Sequence, residues 1–410
     1  MTATLRLSAL LKITAFRRIW LVGLCTSVAR WLDMLVVGVF AFETTGSPFL
    51  VALLAVLRFA PLAIFGPIVG TYADRLRPRL LLGTGLWVAV LTSAVVAVLF
   101  WLDVVAYWHV ALATFISGLI WATDLPVRRR MLGDAAGDAN IATAMSLDSA
   151  SNNATRMIGP LLGGGIYYWL GAGGAFALSA ALFVIAALIL LRVAVSRAVG
   201  VPTEPLTRVL KGFQEAAVYA LRDRDILSVL LVTIVFNVWG FSFLAMVPVI
   251  GGGEFGLNAG LVGVLVGVEG AGAFCGALLV AFNIRARGFR QLFFFGTISH
   301  LTLVFVASWL GDAVPFAVLL FLIGVAAAGF TTMQSTLVFT LAPPEMRGRL
   351  LGLVVLCIGA GLLGNINTGL MGELFGGSTA IRIIAIEGLI PMIAIGFYWR
   401  ELWKPARRQL

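Results

Sequence analysis

The chain is poor in charge, in histidine and in cysteine, and each shortage excludes a class of protein. Only 12% of its 410 residues are charged and 60% are hydrophobic, a balance that excludes an ordinary water-soluble protein. His109 and His300 are the only histidines, and neither belongs to a metal-binding or nucleophile motif. The three cysteines have no paired spacing. We therefore expect no metal site, no disulfide framework and no enzymatic activity.

The sequence also lacks a phosphate-binding loop of the type that ends in Gly-Lys-Ser/Thr, and no soluble stretch is long enough for a nucleotide-binding domain. We expect neither a cofactor nor an ATP-driven reaction. The formal net charge of +10 does not indicate a nucleic-acid partner. The arginines fall in alternate short connections and form no continuous basic surface, so we interpret them as topology signals.

What the chain does have is a series of long apolar segments. Each can cross about 30 Å of hydrocarbon as a helix, and such continuous runs exclude a membrane barrel. The predicted spans are 19–42, 48–72, 80–102, 106–125, 140–169, 172–195, 225–250, 257–283, 289–310, 313–342, 348–374 and 378–400. The predicted fold is an all-α polytopic membrane protein with twelve transmembrane helices, partnered by the lipid bilayer.

The distribution of charge predicts the orientation of these spans. With the N-terminus inside, about 25 of the 29 lysines and arginines fall in cytoplasmic segments. The external turns carry carboxylates instead, at Glu43, Asp103, Glu254 and Asp312. We therefore expect a multi-pass protein of the cytoplasmic membrane, with both termini in the cytoplasm.

The longest polar connection, residues 196–224, divides the chain into six-helix bundles at 1–195 and 225–410. Its apolar residues with helical spacing predict an amphipathic helix on the membrane surface. These residues are Leu206, Val209, Leu210, Phe213 and Ala217. The bundles resemble each other, since Pro126–Arg130 and Pro343–Arg349 are both basic turns that precede a glycine-rich span. We expect two pseudo-symmetric halves.

Ionisable side chains inside membrane spans are costly to bury and are therefore functional candidates. Arg30 and Asp33 are three residues apart in the first span and share a helix face, while Arg58 lies near the centre of the second span. We expect these three charges to form one buried network. It is either a static ion pair that locks two helices together, or a site where Asp33 alternates between arginine and a proton.

The fifth span is unusually polar, and Asn152 and Arg156 lie within it. Asn152 is expected either to line a cavity or to join helices. Arg156 has the same two interpretations, as a ligand for an anionic substrate group or as a tie between helices. The glycines and the proline that follow predict close packing or a bend against a partner helix. They are Gly159, Pro160, Gly163, Gly164 and Gly165.

In the second half, Glu269 is interpreted as the only carboxylate near the middle of a span, without an obvious cation nearby in the sequence. It either takes up a proton or forms a hydrogen bond with a neighbouring helix. Asn237 and Asn365 are expected to complete the polar surface of this half. Arg382 and Glu387, five residues apart in the last span, receive no role.

The run Gly70-x-x-x-Asp74-Arg75-x-x-x-Arg79 resembles the loop between helices 2 and 3 of the major facilitator superfamily, a signature of secondary transporters. The chain differs from the usual motif at Arg77, where a glycine is common. The resemblance implies the major facilitator fold, with Gly70, Asp74, Arg75 and Arg79 forming a conformational-switch loop.

Within that superfamily, the chain most resembles the bacterial drug:proton antiporter group that contains macrolide and enterobactin exporters. The resemblance rests on the Asp74 loop and on further residues: Ser27 with Asp33, Gly46-Ser-Pro48, and Asn152 with Arg156 and Gly159-Pro160. It implies export of an amphipathic small molecule, such as a drug-like compound or a siderophore, in exchange for protons. Asp33 and Glu269 are the candidate proton carriers, and Arg30, Arg58, Asn152, Arg156, Asn237 and Asn365 the candidate cavity residues. We expect a monomer.

Other functions stay open. Arg30, Arg58 and Arg156 would give the first half a cationic lining suited to an anionic substrate, such as a catecholate siderophore, a lysophospholipid or an organic acid. A uniporter without proton coupling is a further possibility. A non-transporting scaffold or sensor would gain nothing from the cost of buried titratable groups.

Overall fold

The computed structural model describes residues 10–73, 78–137, 140–193, 206–283, 288–343 and 345–403, where all regular structure is helical. The N-terminal half contains α1 (Thr14–Thr45), α2 (Pro48–Ala73), α3 (Pro78–Trp101), α4 (Tyr107–Ala136) and α5 (Ile141–Leu191). A connecting helix, α6 (Leu206–Arg222), follows. The C-terminal half contains α7 (Arg224–Val235), α8 (Val247–Val249), α9 (Ala259–Asn283), α10 (Phe289–Ala307), α11 (Ala313–Leu341), α12 (Arg347–Gly359), α13 (Gly361–Phe375) and α14 (Gly377–Tyr398).

Two of the predicted spans lie within α5. Gly171 has φ 69° and ψ −178°, which breaks α5 into two arms, 141–170 and 172–191. Ten of the described helical segments are long and apolar enough to cross a membrane, counting α5 once. The second arm of α5 and helix α2 bring the number of spans to the predicted twelve. The all-α polytopic fold with two six-helix bundles is confirmed.

The seventh span, Arg224–Glu254, has an irregular backbone. Helix α7 is followed by a π-helix at Phe236–Gly240, a 3₁₀-helix at Ser242–Met246, α8, and a second π-helix at Ile250–Glu254. Glycines and a proline within this stretch reduce the cost of departures from α-helical geometry. The eleventh span is formed by α12 and α13 together.

The fourth span is longer than predicted. The prediction ends it at residue 125, before Pro126, whereas α4 continues through the proline to Ala136. The reason is the packing of Arg128, which is only 2% exposed and forms salt bridges with Asp124 and Asp148. The arginine run is therefore part of a helix, and its first residue is buried in the bundle.

The two ends of the bundle differ in charge. We call the end that carries Arg18, Arg79, Arg129 and most other described cations the basic end. The opposite end, with the connections that contain Glu43, Asp103, Glu254 and Asp312, is the acidic end.

The buried apolar side chains show how the halves meet. One cluster combines both halves at the acidic end, where Phe40 and Val51 pack with Phe243 and Ile250. At the basic end each half has its own cluster. The N-terminal one contains Phe16, Leu86 and Phe183, and the C-terminal one contains Phe236, Phe293 and Phe330. The halves are therefore joined at the acidic end and have separate cores at the basic end.

The connecting helix α6 lies against the C-terminal half. Arg349 donates to Glu215 at 2.5 Å, and the ring of Phe213 packs directly on Gly352. Residues 194–205, the first part of the predicted linker, lie outside the described residues. The division of the chain into domains at this linker stays a prediction.

Candidate functional site

Arg30 and Asp33 lie near the middle of α1, but they do not pair with each other. Arg30 Nη2 donates to Ser27 Oγ at 3.0 Å and to Asn152 Oδ1 at 2.9 Å. Asp33, 5% exposed, accepts a hydrogen bond of 2.5 Å from Ser179 Oγ. Their spacing permits a contact that does not form, because α1 contacts both arms of α5 and each side chain turns to a different arm.

Arg58, on α2, forms a hydrogen bond with the main chain of Arg30. It forms no ion pair with a carboxylate among the described residues. Its Nη1 donates to the backbone oxygen of Arg30 at 3.0 Å, and the residue as a whole is 4% exposed. Arg58 and Asp33 line one small cavity together. Among the described ion pairs, none involves Arg30 or Arg58. The three charges are buried near one another as expected, but hydrogen bonds and not a static ion pair hold them among the described residues.

Arg156 and Glu269 form the salt bridge that sequence spacing did not reveal. Arg156 Nη2 donates to Glu269 Oε1 at 2.6 Å, and the two residues are 7% and 0% exposed. The cation that pairs with Glu269 lies 113 residues away along the chain, so the sequence around Glu269 did not indicate it. The pair joins α5 of the N-terminal half to α9 of the C-terminal half. Of the two interpretations of Arg156, this geometry agrees with the tie between helices.

Small residues bring α5 and α9 close enough for this contact. A Cβ added at Gly164 would lie 2.8 Å from the Cα of Gly263, and one at Gly270 would lie 2.6 Å from the backbone oxygen of Arg156. Gly159 and Gly163 face α1 in the same way, against Trp31 and Leu32. Pro160 lies inside α5, and its backbone oxygen approaches Gly263. These are backbone contacts of the kind that small residues allow in membrane helices.

A narrow central cavity lies between the halves, next to this salt bridge. Its polar lining consists of Trp31, Arg58, Thr114, Arg156 and Glu269, and apolar residues of α1, α2, α9 and the seventh span form the rest. Three buried polar atoms around it have no hydrogen-bond partner among the described residues. They are Trp31 Nε1, Arg156 Nε and Glu269 Oε2.

A second, wider cavity lies toward the basic end, and we call it the basic-side cavity. It shares Trp31, Met34, Arg58 and Phe59 with the central cavity, so the two adjoin. Its further lining includes Arg30, Trp121, Arg128, Arg129, Asp148, Asn152 and Phe241. The guanidinium carbon of Arg30 is 5.1 Å from the Trp121 ring centroid, a cation–π distance.

The arrangement of two six-helix halves around midplane cavities can be compared with known proteins. Residues 19–365 match the profile of the Major Facilitator Superfamily. The chain belongs to this superfamily. It is a membrane transporter, and not an enzyme. The relative YfiS of Bacillus subtilis (strain 168), described as an uncharacterized MFS-type transporter, is 25% identical over 390 residues, 90% of each chain.

Solved structures of superfamily members share the fold at low identity. The nucleoside transporter NupG has a TM-score of 0.73 at 14% identity, covering 96% of this chain and 100% of its own. A bacterial homolog of the human lysosomal transporter Spinster, inward-facing and unoccupied, has a TM-score of 0.70 at 15% identity over 95% and 96% of the two chains. A POT family transporter in complex with 5-aminolevulinic acid has a TM-score of 0.72 at 11% identity, over 95% and 96%.

The transporter also contains a buried charge cluster that the sequence analysis missed. Arg128 donates to Asp124 at 3.4 Å and to Asp148 at 2.5 Å, and Arg129 donates to the second oxygen of Asp148 at 3.2 Å. The cluster joins α4 to the first arm of α5. The spacing of Asp124 and Arg128, one helical turn apart, could have indicated it, but Pro126 suggested a loop at that point.

Glu387, to which the sequence analysis gives no role, is a second carboxylate within a membrane span and has defined partners. It lies near the middle of α14 and accepts hydrogen bonds from Trp239 Nε1 at 2.9 Å and Asn367 Nδ2 at 2.6 Å. Glu269 is therefore not the only carboxylate at such a depth in the C-terminal half. Arg382, as its spacing indicated, does not meet Glu387 and instead donates to the Ser308 backbone oxygen at 2.9 Å.

The other predicted site residues are distributed unevenly. Asn237 and Asn365 are buried, but each donates to a carbonyl of its own helix turn, and neither lines the cavities described above. Of the predicted switch loop, Gly70 lies in the last turns of α2, and Arg79 donates to the backbone oxygen of Leu191 at 2.6 Å. Asp74 and Arg75 lie outside the described residues.

Proposed function

We propose that the protein is a secondary active transporter that exports an amphipathic small molecule in exchange for protons, by alternating access of its two halves. The observation that carries the proposal is the Arg156–Glu269 salt bridge. It is buried, it crosses between the halves, and it borders the central cavity. A change in the protonation of Glu269 would therefore act directly on the contact between the halves.

The direction of opening follows from the cores and the charges. By the positive-inside rule the basic end faces the cytoplasm. The halves share a core at the acidic end and have separate cores at the basic end, which fits a state accessible from the cytoplasm. The described hydrogen bonds between the halves also lie at the midplane or the acidic end, where Ser47 and Phe49 donate to Glu373. We place the protein in the bacterial cytoplasmic membrane, as a monomer.

Glu269 is the stronger of the two candidate proton carriers. When it is ionised, it neutralises Arg156 in a buried site. When it is protonated, this attraction is lost and the halves are released from each other. Asp33 contacts Ser179, which belongs to the same half, so its protonation has no direct effect on the interface. We therefore assign proton coupling to Glu269 and a supporting role beside Arg58 to Asp33.

The cavities support an amphipathic substrate. Most of the central cavity is apolar, and its polar atoms are concentrated around Arg58 and the Arg156–Glu269 pair. The related structures carry different substrate names, a nucleoside transporter in one case and 5-aminolevulinic acid in another, so the shared fold leaves the substrate open. Export itself rests on the resemblance to the drug:proton antiporter group. A switching role for Gly70, Asp74, Arg75 and Arg79 rests on the resemblance of their loop to that of the superfamily.

The test measures how pH changes the distance between the halves. Cys25, Cys275 and Cys357 are replaced by serine, and spin labels are attached at the basic end (Asp134 and Thr340) and, in a second sample, at the acidic end (Asp103 and Asp312). Double electron–electron resonance then reports both distances in lipid nanodiscs at acidic, neutral and mildly alkaline pH. Acidification is expected to shorten the basic-end distance and lengthen the acidic-end distance.

Two matched variants show which carboxylate causes this pH response. Glu269→Gln should show the low-pH distances at every pH, because it cannot form the ion pair. Asp33→Asn should respond to pH like the parent protein. If Glu269→Gln titrates like the parent, Glu269 does not couple protonation to the movement of the halves. If Asp33→Asn alone loses the response, the roles of the two carboxylates must be exchanged.

A further inference from the structure

The arginines that line the two adjoining cavities outnumber the carboxylates that line them. Five arginines line them, and the two lining carboxylates, Asp148 and Glu269, are already in ion pairs. Arg128 and Arg129 share Asp148, and Arg156 holds Glu269. Arg30 and Arg58 are left without an ion pair among the described residues.

The hydrogen bonds of these two arginines leave donors available. Arg30 uses one nitrogen, Nη2, on Ser27 and Asn152, which are neutral acceptors. Arg58 uses Nη1 on a backbone oxygen. Two further carboxylates share small cavities with these arginines: Asp33 lines one with Arg58 and accepts from Ser179, and Asp124 lines another with Arg30 and accepts from Arg128 through one oxygen. A guanidinium group has five N–H donors in a planar fork, so most of this capacity is unused within the described part of the chain.

The surroundings of the two arginines favour a ligand that combines an acidic group with an apolar skeleton. Trp31, Phe59, Trp121 and Phe241 form aromatic walls of the basic-side cavity, and the wall becomes aliphatic toward the central cavity. At the boundary, Trp31 Nε1 is buried and has no acceptor among the described residues. An acidic group placed here would meet cationic and neutral N–H donors, and its carbon skeleton would lie against apolar side chains.

On this basis we infer that the transported molecule is an amphipathic organic anion, whose carboxylate, sulfonate or phosphate binds Arg30 and Arg58 while its aromatic or aliphatic body occupies the adjoining central cavity. The inference rests on the proposed transport function and names its substrate class. An organic cation would have to approach two arginines in a site where every lining carboxylate is already paired, which burial makes unfavourable.

The test uses ligands that share one skeleton and differ only in charge. Purified full-length protein in detergent is titrated by calorimetry with 1-naphthoate, 1-naphthalenesulfonate, 1-naphthyl phosphate, 1-naphthylmethylammonium and 1-naphthalenemethanol. Protein-free micelles provide the blank. At least one anion is expected to bind about ten-fold or more tightly than both the cation and the alcohol, the size of one charge-assisted interaction. Equal affinities, preference for the cation, or binding of none of the probes overturns the inference.

Variants locate the binding site. Arg30→Gln and Arg58→Gln should each weaken anion binding about ten-fold or more, whereas the affinity of 1-naphthalenemethanol changes little. The matched control is Arg382→Gln, because Arg382 is also a partly buried membrane arginine but lies away from both cavities. It should bind like the parent protein. Anion binding that survives both cavity substitutions, or that is lost equally in the control, contradicts the assigned site.

Equilibrium binding separates this inference from the proposed function. A preference for the cationic probe would refute the anion inference and leave the pH-dependent movement of Glu269 untouched. Conversely, a protein that binds anions but shows no pH response in the distance measurement would keep its substrate class and lose proton coupling.

Discussion

The first and seventh spans hold equivalent places in the two halves, yet they differ in both backbone and charge. Helix α1 is regular over 32 residues and contains Arg30 and Asp33. The seventh span is divided into five short helical segments and has no ionisable residue between Asp225 and Glu254. In the N-terminal half, polar side chains tie regular helices to each other. In the C-terminal half, the irregular seventh span contributes glycine and proline at the interface instead. Such irregular helical backbone is often found at functional sites and hinges.

The difference extends to the whole halves. The N-terminal half holds its charges in contacts among its own helices, with Arg128, Asp124 and Asp148 as the clearest case. The C-terminal half contributes Glu269, the one carboxylate that crosses to the other half among the described salt bridges. We therefore expect the N-terminal half to move as a rigid unit, while the contact between halves depends on a small number of residues. The predictions below test this division of roles.

The largest effect on stability is expected from Arg128→Ala. The substitution leaves Asp124 and Asp148 buried without their main cation, and breaking a buried ion pair typically costs about 3–5 kcal/mol. The measurement is the free energy of unfolding in mixed micelles, followed by circular dichroism. The matched change in the C-terminal half, Arg382→Ala, removes hydrogen bonds to Ser308 and no described ion pair, so about 1–2 kcal/mol is expected. Equal losses would remove the contrast between the halves.

The next effect concerns the glycines between α5 and α9. Gly164→Ala places a methyl group 2.6 Å from the backbone oxygen of Ala259, so the helices must separate, at about 1–3 kcal/mol of unfolding free energy. Gly165→Ala is the matched control, because an added Cβ there meets nothing within 4 Å. Removing that glycine should be neutral or stabilise the helix by up to about 1 kcal/mol. A similar loss in both variants would show that the close contact of α5 with α9 does not set the cost.

A smaller effect is expected at the acidic end. Glu373 accepts from Ser47 Oγ at 2.6 Å and from the backbone N–H of Phe49 at 3.2 Å, so it caps α2 from the other half. Glu254 caps α14 in the same manner, through Ser378, but within one half. Replacing either by glutamine should cost about 1 kcal/mol. Only Glu373→Gln should lengthen the spin-label distance between Asp103 and Asp312. An equal response to Glu254→Gln would argue against a cap that acts between halves.

The smallest effect should come from the connecting helix. Arg349 and Glu215 form an ion pair whose side chains are 47% and 58% exposed. Exposed pairs contribute roughly 0–1 kcal/mol. Arg349→Ala should therefore change the unfolding free energy by less than about 1 kcal/mol and leave the distances between the halves unchanged. A shift in those distances would indicate that α6 takes part in the movement.

The spans were easier to predict from the sequence than the site. Local signals of hydrophobicity and charge mark the spans, but the end of the fourth span was placed too early, since Pro126 was interpreted as a helix end. At the site, the signal at Arg30 and Asp33 was misleading. A spacing of three residues permits contact but does not require it, and each side chain found a better partner on α5.

The sequence by itself determined the membrane helices and the asymmetry of charge between the two ends. The length of each apolar run and the charges of the connections between runs are local properties of the chain. Only the tertiary structure decided which buried charges meet. Arg156 and Glu269 are 113 residues apart, and they pair because glycines on α5 and α9 let two distant helices approach within backbone contact. A buried charge pairs with what lies nearest in space, and packing sets that distance.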